Sequence, residues 1–215
     1  MNERASLFAD RVVAALFVAK GGTYFDLLGV DPWDEERDAR LYDGPHPVVA
    51  HPPCARWSRL AGFTEARFGL KRGEDGGCFE SALRSVRTFG GVLEHPAYSH
   101  AWEAHGLPWP AAEGWQQDIS GGWCCRVEQG FYGHPANKPT WLYAVDTELP
   151  SLHWGAGETR LHPSALARHG EKKARKIGYL AMFPSKGPQR SATPPEFRDL
   201  LLSIAVSAKP GVLAA

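Results

Sequence analysis

The chain of 215 residues lacks an excess of charge of either sign: 24 lysines and arginines balance 24 aspartates and glutamates. A protein that drew polyanions by its overall field would be basic, so any nucleic-acid contact must come from a local patch. Long apolar runs are missing too. No stretch approaches the roughly eighteen residues that span a bilayer. Charged residues also interrupt the amino-terminal MNERASLFADRVVAALFVAKGG, which lacks the continuous apolar core of a secretory leader. The expectation is a cytoplasmic protein with no membrane partner. Cysteine is sparse, and Cys54, Cys78, Cys124 and Cys125 show no Cys-x-x-Cys spacing, which argues against a zinc framework or a disulfide scaffold. His134, His153, His162 and His169 are too scattered to suggest a metal site. No repeat of fixed period is visible.

What is present is 43% hydrophobic residues, with 23 glycines, 17 prolines and 8 tryptophans. That composition favours short elements, many turns and aromatic walls over a helical bundle. Residues 6–19 read as a short helix running into a strand, with Val12 to Ala19 the best strand and Lys20-Gly21-Gly22 its closing turn. The acidic segment after it is irregular, helical only from Asp34 to Leu41. Pro47 to Ala50 is a buried strand that stops at His51-Pro52-Pro53-Cys54. Residues 74–89 show helical spacing of Phe79, Leu83, Val86 and Phe89, with Glu80 and Arg84 an i,i+4 pair. Gly91 to Pro96 is a further buried strand. Strand, helix, strand brings Cys54 and Glu94 to one edge, where ligands bind in open α/β sheets. Trp123 to Gln129 and Thr140 to Val145 are strands, residues 150–192 have no clear assignment, and Glu196 to Ala208 is a helix that packs on the core. The expected fold is a single α/β domain over residues 1–215, with an irregular insertion at 146–190.

Three short motifs follow one another along this frame: Pro52-Pro53-Cys54 after one strand, Leu93-Glu94-His95-Pro96 at the end of the next, and Tyr132-Gly133-His134-Pro135 before another. In order and separation they resemble motifs of the DNA cytosine-5 methyltransferases, and the closing Ala192-Thr193-Pro194-Pro195 resembles the family's last motif. The chain is similar to small, divergent phage-encoded members of that lineage. The resemblance implies a Rossmann-like methyltransferase-type sheet, DNA or a pyrimidine nucleotide as substrate, and S-adenosylmethionine as methyl donor. It also implies Cys54 as the nucleophile that adds to C6 of the base and Glu94 as the acid against the base edge, as the chemistry of a poorly nucleophilic C5 requires. His51, Pro53, Arg56, Ser58, His95, Asn137 and Lys138 fall at expected base-binding positions, and Gly21, Gly22 and Asp31 at the cofactor's. His51, Arg56 or a strand-end dipole is expected to lower the pKa of the Cys54 thiol.

The departures from the family are specific. Only eight residues separate Gly22 from Asp31, too few for a normal helix, so the cofactor half is abbreviated. Ala136-Asn137-Lys138-Pro139 stands where the family has paired arginines, and the recognition segment is reduced to about residues 146–190. A short recognition segment suits single strands, from which a base is more cheaply extracted. Two alternatives stand beside the methyltransferase reading: an enzyme that uses another donor or a free pyrimidine nucleotide, and a catalytically silent protein that binds nucleic acid or a partner. Arg168 to Lys176, with five cations and one acid, reads either as a phosphate contact or as a solvated surface. Trp57, Trp102, Trp109, Trp115 and Trp123 read as base-stacking or packing residues.

Overall fold

Seven strands make one mixed sheet in the computed structural model, which describes residues 11–59, 61–184 and 188–209. They are β1 Val13–Leu16, β2 Val30–Trp33, β3 Val48–Ala50, β4 Gly91–Pro96, β5 Gln116–Gln117, β6 Trp123–Glu128 and β7 Pro139–Val145. Their order is β2-β1-β3-β4-β7-β6-β5. The first four run parallel, β7 is antiparallel to both β4 and β6, and β5 is a short antiparallel edge. The expected Rossmann-like α/β architecture is therefore present. The helices are α1 Ala61–Phe68, α2 Cys78–Phe89, α3 His100–Ala104, α4 Pro163–Ile177, α5 Pro188–Ser191 and α6 Pro195–Val206.

Both faces of the sheet are covered, which is why β1 (VAAL) and β3 (VVA) are apolar at every position and fully buried. On one face Phe79, Leu83 and Val86 of α2 and Trp102 of α3 pack with Leu16, Leu93, Trp141 and Tyr143. On the other, Phe197, Leu201 and Ile204 of α6 pack with Val13, Val49, Val92 and Leu142. Residues that alternate along a strand feed opposite cores, and Cys124 and Cys125 accordingly enter different ones. One glycine is obligatory. Gly91 sits at φ +122°, opposite Val48, and a Cβ there would overlap the Val48 backbone.

Several elements differ from the sequence reading. The first strand is shorter, Val13–Leu16, and the start of the expected amino-terminal helix, residues 6–10, lies outside the described residues. A strand, β2, occupies the segment read as irregular. It lies on the sheet edge, where Pro32 is tolerated because its missing N–H faces no ladder partner. Asp34 to Leu41 holds only a 3-10 turn at Ala39–Leu41. Arg84 makes no ion pair with Glu80 and donates instead to the Arg40 carbonyl oxygen, 3.3 Å away. The insertion is not irregular: α4 starts on a His162 cap with Pro163 in its first turn, and breaks at Gly170 (φ 72°, ψ 167°). It buries only Ala165 and Ala174, an apolar stripe too thin to mark it in the sequence.

Candidate active site

The parallel strands turn outward in opposite directions at β1 and β3: β1 leads to β2 on one side, and β3 leads through α2 to β4 on the other. The crevice beyond the carboxyl ends of β1 and β3 is the topological switch point of such a sheet. His51-Pro52-Pro53-Cys54 leaves β3 there. Two prolines suit a strand end, because neither has an N–H left to satisfy. Glu94 arrives from β4. Because β7 runs the opposite way, its amino end reaches the same edge, and Lys138 stands just before it. The carboxyl end of β6 brings Gln129 alongside.

Around Glu94 these pieces close into a hydrogen-bonded chain. His51 Nδ1 lies 2.9 Å from Glu94 Oε2, and the Tyr24 hydroxyl lies 2.7 Å from His51 Nε2. Gln129 Nε2 donates to Glu94 Oε1 at 3.2 Å and to Thr140 Oγ1 at 2.9 Å, and the Thr140 hydroxyl donates to the Lys138 carbonyl oxygen at 3.1 Å. An ionised carboxylate only accepts, so His51 Nδ1 carries the shared hydrogen and, in that tautomer, Nε2 accepts from Tyr24. The Gln129 Oε1 atom is buried with no hydrogen-bond partner among the described residues.

Burial by itself would raise the pKa of Glu94, but the hydrogen bond from His51, its electrostatic pull and the Lys138 ammonium outweigh it and hold the carboxyl below its ordinary range. Lys138 is itself pushed down by burial, against the opposing pull of Glu94 and Cys54. Its Nζ donates to the Ala192 carbonyl oxygen at 3.2 Å, so the last motif touches the site. The Cys54 thiol is raised, first by burial and then by the negative charge of Glu94, with Lys138 drawing it back. This corrects the expectation of a lowered thiol: His51 is spent on Glu94, and no side-chain partner of Arg56 appears among the described residues. Cys54, Glu94 and Lys138 thus act on one another electrostatically.

Other expected site residues have different roles. His95 is fully buried between Phe79 and Trp102, with ring centroids 5.1 and 6.2 Å away, and burial lowers its pKa to about 4. It is a core residue that cannot read a base edge. Asn137 is half-buried and clamps a loop, donating to the Ala156 and Glu158 carbonyl oxygens and accepting from the Arg160 N–H. Pro53 is exposed next to Cys54. Arg56 and Ser58 are half-buried in the following segment, where their carbonyl oxygens accept from the Gly73 and Ala61 N–H groups. Tyr24, Gln129 and Thr140 were missed by the sequence reading.

At the other end of the edge, the β1-to-β2 connection over residues 17–29 contains no helix. Gly21 (φ +63°) and Gly22 serve a turn closed by the Gly22 N–H to the Ala19 carbonyl oxygen at 2.9 Å. The Asp31 carboxylate is engaged by Arg37 at 2.6 Å and by the Trp33 indole N–H at 2.8 Å, and the Arg37 guanidinium lies over the Trp33 ring. Lys20 pairs with Glu36 on the surface at 2.6 Å. The glycines thus serve a turn, and the Asp31 carboxylate is already paired. Among the described residues, no helix is long and apolar enough to cross a membrane. No protein-family model and no curated protein matches this chain.

Proposed function

We propose that the protein modifies C5 of a pyrimidine, the cytosine of DNA before other substrates, through a covalent adduct of Cys54 with C6 of the base. The observation that carries this reading is the convergence of Cys54, Glu94 and Lys138 from three separate strands on one edge, at the switch point of the sheet. The Cys54 sulfur, as thiolate, forms the bond to C6. The C5=C6 π pair shifts toward C4 and N3, and N3 takes up a proton from solvent that Glu94, oriented by His51 and Gln129, relays while its other oxygen accepts from the exocyclic amine. C5 then attacks the donor's electrophilic atom, whose leaving group departs with its bonding pair; a water takes the C5 proton, the C5–H pair restores the C5=C6 bond, the C6–S pair leaves with Cys54 as thiolate, and N3 returns its proton through Glu94. Lys138 supplies the positive charge that the buried thiolate and carboxylate both need. Partial burial and the charge of Glu94 raise the thiol and keep Cys54 protonated until a substrate arrives.

S-adenosylmethionine is the donor the motif resemblance implies. The arrangement of Gly21, Gly22 and Asp31 supports a different donor equally well, which is the specific ground for the second reading: the same Cys54 chemistry with another electrophile, or on a free pyrimidine nucleotide. The test assumes no donor. Mass spectrometry of all nucleosides, from DNA and from the nucleotide pool, is run on cells that express the wild-type protein or Cys54→Ser. The expected result is a new pyrimidine nucleoside in the wild type that vanishes in Cys54→Ser, with its mass naming the group added. Unchanged nucleosides in both fractions would sink the covalent reading and favour a binding protein.

A further inference from the structure

The segment after Cys54 does not stop at the crevice. The Trp57 carbonyl oxygen accepts from the His100 N–H at 2.9 Å and from the Ser99 hydroxyl at 3.4 Å. This joins the Cys54 segment to residues 98–100, just beyond β4. There Tyr98 holds a positive φ of 65°, a conformation that a bulky side chain rarely adopts and that concentrates at functional positions. Its ring lies 6.1 Å from Trp109 and 5.4 Å from Trp141, and Trp109 lies 5.2 Å from Trp141. Trp141 is buried and forms the floor, while Trp109 is 58% exposed. The Arg59 and Arg126 guanidinium carbons stand 5.7 and 5.6 Å from the Tyr98 ring centroid. Neither arginine has an ion pair among the described residues. Trp109 also walls a cleft of about 640 Å³ that the exposed Gln116 and Gln117 line from the edge strand.

We infer that the Tyr98–Trp109 face, flanked by Arg59 and Arg126, is a stacking platform for a single-stranded nucleic acid that leads toward the Cys54 crevice. It rests on the Cys54 reading only for where the strand leads. An exposed indole beside a half-buried phenol ring, next to arginines with no ion pair among the described residues, is the chemistry that tracks single strands, with bases on the rings and phosphates on the arginines. In a chain with no net charge, two such arginines form the local patch that a polyanion requires. A duplex keeps its bases stacked on one another and offers no faces to the rings. The platform therefore selects single strands.

The test is fluorescence anisotropy of a short labelled oligothymidylate with Cys54→Ser protein, which separates binding from chemistry. Trp109→Ala is expected to weaken binding about 5–100-fold and Trp109→Phe to retain most of it. The Arg59→Ala/Arg126→Ala pair is expected to flatten the dependence of log affinity on log salt by about one unit. A duplex of matched sequence is expected to bind at least about tenfold more weakly. Equal binding of oligouridylate would keep the platform and extend its ligand to RNA. Duplex binding as tight as single-strand binding, or Trp109→Ala without effect in protein whose circular dichroism is unchanged, would overturn the inference. A protein that binds strands through Trp109 but makes no new nucleoside keeps this inference and loses the covalent chemistry. One that modifies nucleotides and ignores strands does the reverse.

Discussion

The carboxyl edge of the sheet has two corners of opposite character. At the corner built by β3, β4, β6 and β7, residues far apart in the chain meet: His51 with Glu94, Gln129 with Glu94, and Lys138 with Cys54 and Glu94 through their charges. Their surroundings are dry, and several pKa values move. At the corner built by β1 and β2, the charged groups pair with near neighbours: Asp31 with Arg37, Asp38 with Arg40, and Lys20 with Glu36 across exposed loops. Local pairs of this kind on a surface contribute little and leave no group free for a ligand. The contrast shows where the fold concentrates reactive chemistry: where strand ends from distant segments converge, and not where loops satisfy themselves.

The comparison breaks if the two corners respond alike to removal of a carboxylate. Glu94→Gln keeps the shape but replaces one acceptor oxygen with a donor amide and removes the charge, and is expected to lower the yield of modified nucleoside by about 10²–10⁴-fold. Asp31→Asn, which leaves the distant corner with one surface pair fewer, is expected to change it by less than about threefold. The measurement is the same nucleoside mass spectrometry on the two variants. Loss of comparable size in both would mean that the β1–β2 corner takes part directly and that Asp31 exchanges Arg37 for a ligand.

Some of this was readable in the chain. The run Gly91 to Pro96 was expected as a strand with the bounds β4 has, because three apolar or small residues end in a polar pair before a proline. The helix α2 followed from Phe79, Leu83 and Val86. Convergence of Cys54 and Glu94 on one edge followed from strand, helix, strand. What the sequence hid has physical reasons. The edge strand β2 carries an aspartate and a proline, and it is half-buried where a buried strand would be apolar. Gln129 and Lys138 belong to the site only because β7 is antiparallel, which puts the start of one strand beside the ends of others. Tyr24 lies in a segment without periodicity. His95 adjoins Glu94 in the motif but not in space, because successive residues of a strand face opposite ways.

That last point sharpens the comparison to a single peptide unit. Glu94 faces the site and His95 faces the aromatic core, one residue apart on β4. An ordinary histidine in the unfolded chain takes a proton near pH 6.5, whereas buried His95 resists it until about pH 4. Between those values the unfolded state binds the extra proton, so stability falls as pH drops through the window and is full above it. The span corresponds to about 3 kcal/mol. His95→Leu is expected to remove that slope from urea unfolding midpoints measured between pH 4 and pH 7. Glu94 contributes in a lower window: its depressed carboxyl loses stability as pH falls below the ordinary carboxylate value toward the folded one. An unchanged slope between pH 4 and pH 7 in His95→Leu would contradict a neutral core role for His95.

Lys138 connects the reactive groups, so its removal measures how far the corner acts as a unit. Without the ammonium, burial and Glu94 act on the Cys54 thiol unopposed, and its pKa rises further. Lys138→Met is expected to slow alkylation of Cys54 by iodoacetamide near neutral pH by roughly threefold to tenfold, each pKa unit being tenfold in thiolate. Lys138→Arg keeps the charge and is expected to restore most of the rate. The alkylation rate of Cys54, read by peptide mass spectrometry across pH, gives the shift directly. Equal rates in Lys138→Met and wild type would detach Lys138 from the nucleophile.

The smallest expected effect comes from Tyr24, which links the two corners. It lies in the β1-to-β2 connection yet reaches His51 with its hydroxyl, and burial, followed by the charge of Glu94, keeps that hydroxyl protonated far above the working range. Tyr24 is therefore a fixed donor, and what it fixes is the tautomer of His51 and, through it, the orientation of Glu94. Tyr24→Phe keeps the ring that packs with α6 and removes one hydrogen bond, a loss of about 1 kcal/mol. The expected outcome is a roughly fivefold fall in kcat, with KM unchanged and with the acid limb of the pH profile displaced upward, since Glu94 is then less firmly held as a carboxylate. A purely structural role would lower the melting temperature without moving that limb. Thr23, the residue before it, is tied to α6 by Arg198 at 2.9 Å to its carbonyl oxygen and 3.0 Å to its hydroxyl. Arg198→Ala, which loosens the same segment without touching Tyr24, separates the two: if the pH limb moves equally in both variants, the tether of the loop and not the Tyr24 hydroxyl sets the state of Glu94.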